Sequence, residues 1–431
     1  MHKQPPIVIP ESIHIPRPEI VTAANGMKIH AFKNRNQKVA RLSFVLRAGS
    51  SYQSVPFSAS ATLNMLSEGS NRMTAQQIAE KLDYFGSYFE VSADRDYAVV
   101  TFCCLEKFFD DTLELARQIM LDPIFPEEEL RTYCDKRRQE LAIERSKAGT
   151  KARELFARTL FGVAHPYGIS SDEALYDALN QEHLAEFYSK HYTADSCFAA
   201  CSIADDAQLE SIMRLAEDFP TLKSPDRRIF PTPESSHYGF ALQPDAVQSA
   251  IRIGRRLFPR SHPDFIGMQV AATALGGYFG SRLVQNLRER HGYTYGVFAS
   301  MVNFEKEGYF AIATQVGSAV TAKAIEQIFL EIRRLATCPV EGQELECVKN
   351  MMFGEIMRIL DGPFGIVDAA IENVQNGTGM EHLDRTVECI RRITPQEVSE
   401  LVSKYMAPES MTVAIAGDKT SNIEAEFIRK L

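Results

Sequence analysis

Residues 186–200 read EFYSKHYTADSCFAA, and residues 400–414 read ELVSKYMAPESMTVA. At an offset of 214 residues, Glu186, Ser189, Lys190, Ser196 and Ala200 recur as Glu400, Ser403, Lys404, Ser410 and Ala414. Both stretches run from helical spacing through a short turn into an apolar run that suits a strand. Each strand ends near an aspartate, Asp205 or Asp418, and leads into a further stretch. A second match, EEL at 128–130 against QEL at 343–345, has an offset of 215 residues. Both follow a proline and open a long helix. Two matches at nearly one offset, in one structural order, indicate a duplicated unit.

The chain has 431 residues, close to twice that offset. It therefore divides into two homologous α+β domains, residues 1–222 and 234–431. The proline-rich linker 223–233 joins them. Each domain is expected to hold a mostly antiparallel sheet with helices on one face. Residues 41–47 and 96–104 suit strands, and 74–84 and 105–121 carry helical spacing. Residues 126–147 read as a long charged helix opened by Pro126. Glu127, Glu128 and Glu129 fall in its first turn, where acids complement the dipole.

Composition narrows the function. Apolar residues make up 45% and charged residues 24%, which excludes disorder. The net charge of −9 argues against nucleic-acid binding, which needs a basic face. No run of about 18 apolar residues is present, so no membrane span is expected. The eight cysteines form no CxxC pair, and reduced thiols are the expectation. The N-terminal MHKQPPIVIPESIHIPRP lacks a signal-like apolar core. A cytoplasmic location follows, or a periplasmic one if a signal segment was removed.

No HExxH or HxxEH occurs among the ten histidines. Those motifs place two ligands and a base on one helix face. His183, Glu186 and His191 are the best local substitute, but they lack a third ligand. No GxSxG elbow or P-loop is present either. The stretch 275–300, LGGYFGSRLVQNLRERHGYTYGVFAS, stands out. Gly276–Gly280 opens a helix over 281–290 that stops at Gly292, and a strand follows. Arg288, a forked donor, and Tyr295, a hydroxyl donor, flank the break. From spacing alone they are expected to point into one cavity, or to be a surface charge and a core aromatic.

Here the chain resembles the insulinase/pitrilysin metallopeptidase family, in the two-domain form of the processing peptidases. The likeness lies in Gly276-Gly277, Ser281-Arg282-Leu283, Arg288, Gly292 and Tyr295. It extends to VLRAGSSYQ (45–53), LNMLSEGS (63–70), the run 73–97 and HPYG (165–168). In that family HxxEH precedes the Gly-Ser matched here by Gly69-Ser70. Counted back in register, that window is Ser60-Ala61-Thr62-Leu63-Asn64. Ser60 and Asn64 replace the ligands and Leu63 replaces the base, so no metal is expected on this chain. The family's later Glu ligand falls on the 126–147 helix, near Glu140 or Glu144.

The resemblance implies a non-catalytic, substrate-binding subunit of a heterodimeric zinc peptidase. It would supply Arg288 and Tyr295 in trans to an HxxEH-bearing partner that holds the zinc, acting on an unfolded peptide. Two alternatives stay open: a structural or assembly protein, and a peptide-binding homodimer.

Overall fold

The computed structural model describes residues 12–36, 38–170, 172–222, 230–231, 236–340 and 342–423. The expected linker 223–233 lies largely outside them. The first half runs β1 (Glu19–Thr22), β2 (Lys28–Lys33), β3 (Val39–Leu46), α1 (Ser58–Asn64), α2 (Ala75–Phe85), β4 (Tyr88–Ala93) and β5 (Ala98–Leu105). It continues with α3 (Phe109–Leu121), α4 (Glu127–Arg145), α5 (Ala148–Phe161), α6 (Gln181–His191), β6 (Cys197–Ile203) and α7 (Asp206–Glu217). The second half runs β7 (Tyr238–Leu242), β8 (Gln248–Leu257), α8 (Phe265–Ala272), β9 (Val297–Asn303), β10 (Gly308–Gly317) and α9 (Thr321–Thr337). It ends with α10 (Gly342–Leu360), α11 (Pro363–Gln375), α12 (Glu381–Arg392), α13 (Pro395–Tyr405) and β11 (Thr412–Gly417).

The two sheets follow one plan. Their orders are β1-β2-β6-β3-β5-β4 and β7-β11-β8-β10-β9. Leaving aside the extra edge strand β1, both place their strands as first, last, second, fourth, third. Only β2/β6 and β7/β11 pair in parallel. The repeated stretches form α6–β6 and α13–β11. A 3-10 turn links each pair, Ala194–Ser196 and Pro408–Ser410. Asn180 caps α6 with its side chain, and Thr394 caps α13 through a capping box. The fold is a two-domain α+β arrangement.

Strand alternation builds the cores. In the first half Leu42, Phe44, Val100, Phe102, Ala199 and Cys201 face one way. They pack under Leu63, Ile78, Leu115, Ile119, Leu184 and Ile212. In the second half Ile251, Ile253, Phe310, Ile312, Val413 and Ile415 meet the apolar faces of α8, α9 and α13.

The other faces depart from the expectation of helices on one side. Each is covered by a helix from the opposite half: α5 lies on β7, β8 and β11, and α11 lies on β2 and β6. Sheets buried on both faces need continuous apolar strands rather than alternating ones. CFAACSI in β6 and TVAIAG in β11 have that character, and all but Phe198 are buried. The exchange joins the halves into one packing unit. Phe32, Val45 and Ala200 share a core with Ile366, Val367 and Ala370, while Phe156 and Leu160 share one with Ala311 and Ala414.

Candidate functional site

The segment around Arg288 is mounted on the second half by buried polar contacts. Arg282 forks onto Glu344 of α10, at 2.8 and 3.0 Å. Asn286, 2% exposed, donates to Glu331 of α9 at 2.6 Å and to Gln327 at 3.1 Å. Leu283, Val284 and Leu287 fill the core beneath. The expected helix 281–290 is wound as a π-type turn over Val284–Arg290, with the His291 amide bonded to the Asn286 carbonyl. Gly292 takes φ +63° with open space around it, so the helix ends where a left-handed residue is easiest. The glycine-rich stretch sits differently from expectation. Gly276 and Gly277 close the preceding helix through a π-type turn at Thr273–Gly277. A Cβ on Gly276 would fall 2.8 Å from the Ala299 backbone nitrogen, so a close approach to β9 requires glycine there.

From this base Arg288 and Tyr295 project outward. The Arg288 guanidinium lies 4.9 Å from the centre of the Phe279 ring, and its Nε is 3.3 Å from the Glu289 carboxylate. Tyr295 is 91% exposed. Phe279 and Phe298 are exposed on the same segment. Neither residue lines the two cavities described below, and no hydrogen bond joins the pair among the described residues. Tyr295 is not a core aromatic either. Both donors are exposed, Arg288 on the anchored turn and Tyr295 in the irregular stretch that leads into β9.

The α1 window is the opposite case. Ser60 gives its hydroxyl to the Phe57 carbonyl at 3.1 Å, and the Asn64 amide returns to the Ser60 carbonyl at 2.7 Å. Leu63 is buried in the first core. On α4, Glu140 is bound by Arg137 at 2.5 Å. A hydroxyl, an amide and a leucine are not zinc donors, and the one carboxylate already has a cation. The residues here do not fit zinc. Among the described residues no group of three His, Cys, Asp or Glu side chains could hold a metal. His183, Glu186 and His191 do not converge: Glu186 pairs with Lys190 at 2.5 Å, and His191 packs on Phe187.

Residues that sequence reasoning did not single out tie the halves together beside these sites. Asp96, 3% exposed, accepts from the Tyr167 hydroxyl at 2.8 and 2.9 Å and from the Ser51 hydroxyl at 3.2 Å. It also accepts from the Glu305 backbone amide of the second half at 2.9 Å. Burial and the neighbouring Asp96 carboxylate push the Tyr167 phenol up, so it stays a donor. Two cavities flank α11. One of about 730 Å³ is lined by Arg41, Glu90, Asp94, Thr101 and Asp368, the other of about 450 Å³ by Lys28, His30, Arg47 and Asp195. Both reach Tyr97. The signal for this hub was present in segments 73–97 and 165–168, as the pairing of DRDY with HPYG.

No helix of the described residues is long and apolar enough to cross a membrane, and all eight cysteines are free.

Comparison with known proteins gives one consistent answer. The family described as "Insulinase (Peptidase family M16)" matches residues 28–162, and "Peptidase M16 inactive domain" matches 178–352. A protein of Rickettsia bellii named "Uncharacterized zinc protease" is 24% identical over 343 residues, 76% of this chain and 80% of that protein. The alpha subunit of mitochondrial-processing peptidase from Solanum tuberosum is 22% identical over 435 residues, covering 96% of this chain and 84% of that one. A crystal structure titled as a peptidase M16 inactive domain from Pseudomonas fluorescens superposes with a TM-score of 0.87 at 21% identity. It covers 94% of this chain and 100% of the other.

Proposed function

We propose that this chain, which belongs to the insulinase family, peptidase family M16, is the metal-free, substrate-binding subunit of a heterodimeric zinc peptidase. Its partner would be a homologous chain carrying HxxEH and the zinc. Peptide would lie between the two chains, and a sheet edge suits it, since backbone pairing there is tolerant of sequence. Arg288 would hold a main-chain carbonyl of the peptide. Tyr295 would donate to the oxyanion that forms when water adds to the scissile carbonyl. The two domains of this half are assigned to residues 1–222 and 234–431, with 223–233 between them. The free thiols suit a reducing, cytoplasmic setting.

One observation carries the reading. The same chain combines an α1 window with no zinc donors and an exposed Arg288/Tyr295 pair. Groups that serve their own site are ordinarily turned inward. An exposed pair borne on an anchored turn and the strand entry beside it suits chemistry on a neighbouring chain.

The test is reconstitution with the HxxEH-bearing partner. Tyr295→Phe should lower kcat about 100-fold, the loss typical of one oxyanion donor. Arg288→Ala should raise KM and lower kcat/KM. Neither should move the melting temperature, because both side chains are exposed. Unchanged turnover in both variants would refute the assignment.

A further inference from the structure

We propose that the cavity of about 450 Å³ beside α11 binds a small phosphorylated molecule, with Lys28, His30 and Arg47 holding its phosphoryl group. Such a site would stand whether or not the chain is a peptidase subunit. Strand alternation brings the three side chains to one face. On β2, Met27, Ile29 and Ala31 enter the first core, so Lys28, His30 and Phe32 turn the other way, toward α11. On β3, Phe44 and Leu46 enter that same core. Arg47 follows, and its amide bonds to the Ser196 carbonyl at 2.8 Å, which carries the pairing with β6 one residue further. Lys28 stands opposite Phe198 of β6, and Leu46 opposite Cys197. Since β6 lies between β2 and β3, Lys28 and Arg47 flank it at one end of the sheet. Two strand spacings put their backbones about 10 Å apart, a gap that two long cationic side chains close onto one anion.

His30 lies one pleat further in and is only 8% exposed. Its ring meets Phe198 edge-on, with centres 5.8 Å apart, and it has no hydrogen-bond partner among the described residues. Buried polar side chains ordinarily have one, and this one lines the cavity. Burial, with the Lys28 charge nearby, holds its imidazole below the usual range, a cost that a bound anion would relieve. Lys28 has no acidic partner among the described residues. Arg47 turns one nitrogen to Glu305 at 3.2 Å, and its remaining N–H groups are available. Asp195 is the one carboxylate among the described residues that line the cavity, and it accepts from the Leu222 backbone amide at 2.6 Å. Donors from both sides and from the floor suit a tetrahedral anion better than a flat carboxylate. The cavity exceeds a phosphoryl group in volume, and Phe198 and Val374 offer an apolar wall to the rest of the molecule.

The probe is inorganic phosphate, titrated calorimetrically into the full-length chain at constant ionic strength. It should bind saturably, one ion per chain. Lys28→Gln and Arg47→Gln should each weaken binding about tenfold, the loss expected for one charged hydrogen bond. His30→Gln should weaken it as well. Lys81→Gln, exposed on α2 and not part of the cavity lining, should leave it unchanged. Phenyl phosphate should bind more tightly than inorganic phosphate, and succinate more weakly. Absence of saturable binding would overturn the proposal, as would equal losses in Lys28→Gln and Lys81→Gln. Succinate binding as tightly as phosphate would overturn the choice of a phosphoryl group. If His30→Gln does not fold, Lys28→Gln and Arg47→Gln decide the matter, because both positions are exposed.

Discussion

Helices α5 and α11 occupy equivalent places in the duplicated unit, yet they lie on different surfaces. Under α5 the second sheet presents Ala250, Ala414 and Ala416, all buried, with Ala152 of the helix against two of them. Gly239 continues that face: a Cβ there would fall 3.1 Å from both Leu155 and Thr159. Small side chains bring the helix close and leave a dry seam. Under and beside α11 the first sheet presents His30, Ser43, Thr101 and Ser202. The Ser43 and Thr101 hydroxyls bond to each other at 2.8 Å, and cavities of about 730 and 450 Å³ open on either side of the helix. One duplicated architecture has become a face closely packed around small side chains in the second half, with Arg252 beyond them on β8, and a face flanked by two cavities in the first. The second half is the one that mounts Arg288 and Tyr295. A residue displayed on the surface keeps its geometry only if the scaffold behind it does not yield.

The largest expected effect comes from separating the halves. Residues 1–222 expressed alone lack α11, and residues 234–431 lack α5, so each sheet would expose an apolar face. Neither piece should show a cooperative thermal transition, whereas co-expression should restore one. Two independently cooperative halves would contradict the exchange of helices as the link between them.

Acid should act next, through the second half. Burial, with Arg260 and Arg385 nearby, holds His382 down to about 4. Unfolded, the imidazole takes its proton near 6.5, whereas the folded protein refuses it until about pH 4. Stability from this group is therefore intact above pH 6.5. It declines as the pH falls through that window, by about 3 kcal/mol at most. Chemical denaturation from pH 7 to pH 4 should show the decline, and His382→Gln should flatten it.

Smaller still is the packing contrast between the two covered faces. Ala250→Leu forces extra methylenes into the dry seam under α5 and should cost about 2 kcal/mol. Val99→Leu on the first sheet points into the larger cavity and should stay within about 0.5 kcal/mol. Urea melts of the two variants measure both, and similar costs would erase the distinction between the faces.

Much of the fold is legible in the sequence. The repeat at 186–200 and 400–414 became α6–β6 and α13–β11. The charged helix opened by Pro126 became α4, with Pro126 as its N-cap. The exchange of α5 and α11 was not readable. Each helix carries an ordinary apolar stripe, and a stripe does not say which sheet it will meet. The unbroken apolar runs of β6 and β11 held the only hint that both faces would be covered. At the candidate site, Arg288, Gly292 and Tyr295 were found by motif and stand where a helix breaks before a strand. Their outward orientation was hidden, because it depends on Arg282 and Asn286 anchoring the turn from below. Asp96 was passed over because its partners, Tyr167 and the Glu305 amide, are distant in sequence and meet only across the two halves.

Whether an active site is shared between two chains is decided by zinc stoichiometry and peptide hydrolysis, measured on this chain alone and after mixing with the proposed HxxEH-bearing partner. The isolated chain should hold no stoichiometric zinc and hydrolyse no peptide, whereas the complex should carry one zinc per heterodimer and turn over. A full equivalent of zinc bound by the isolated chain, together with hydrolysis, would contradict a metal-free subunit.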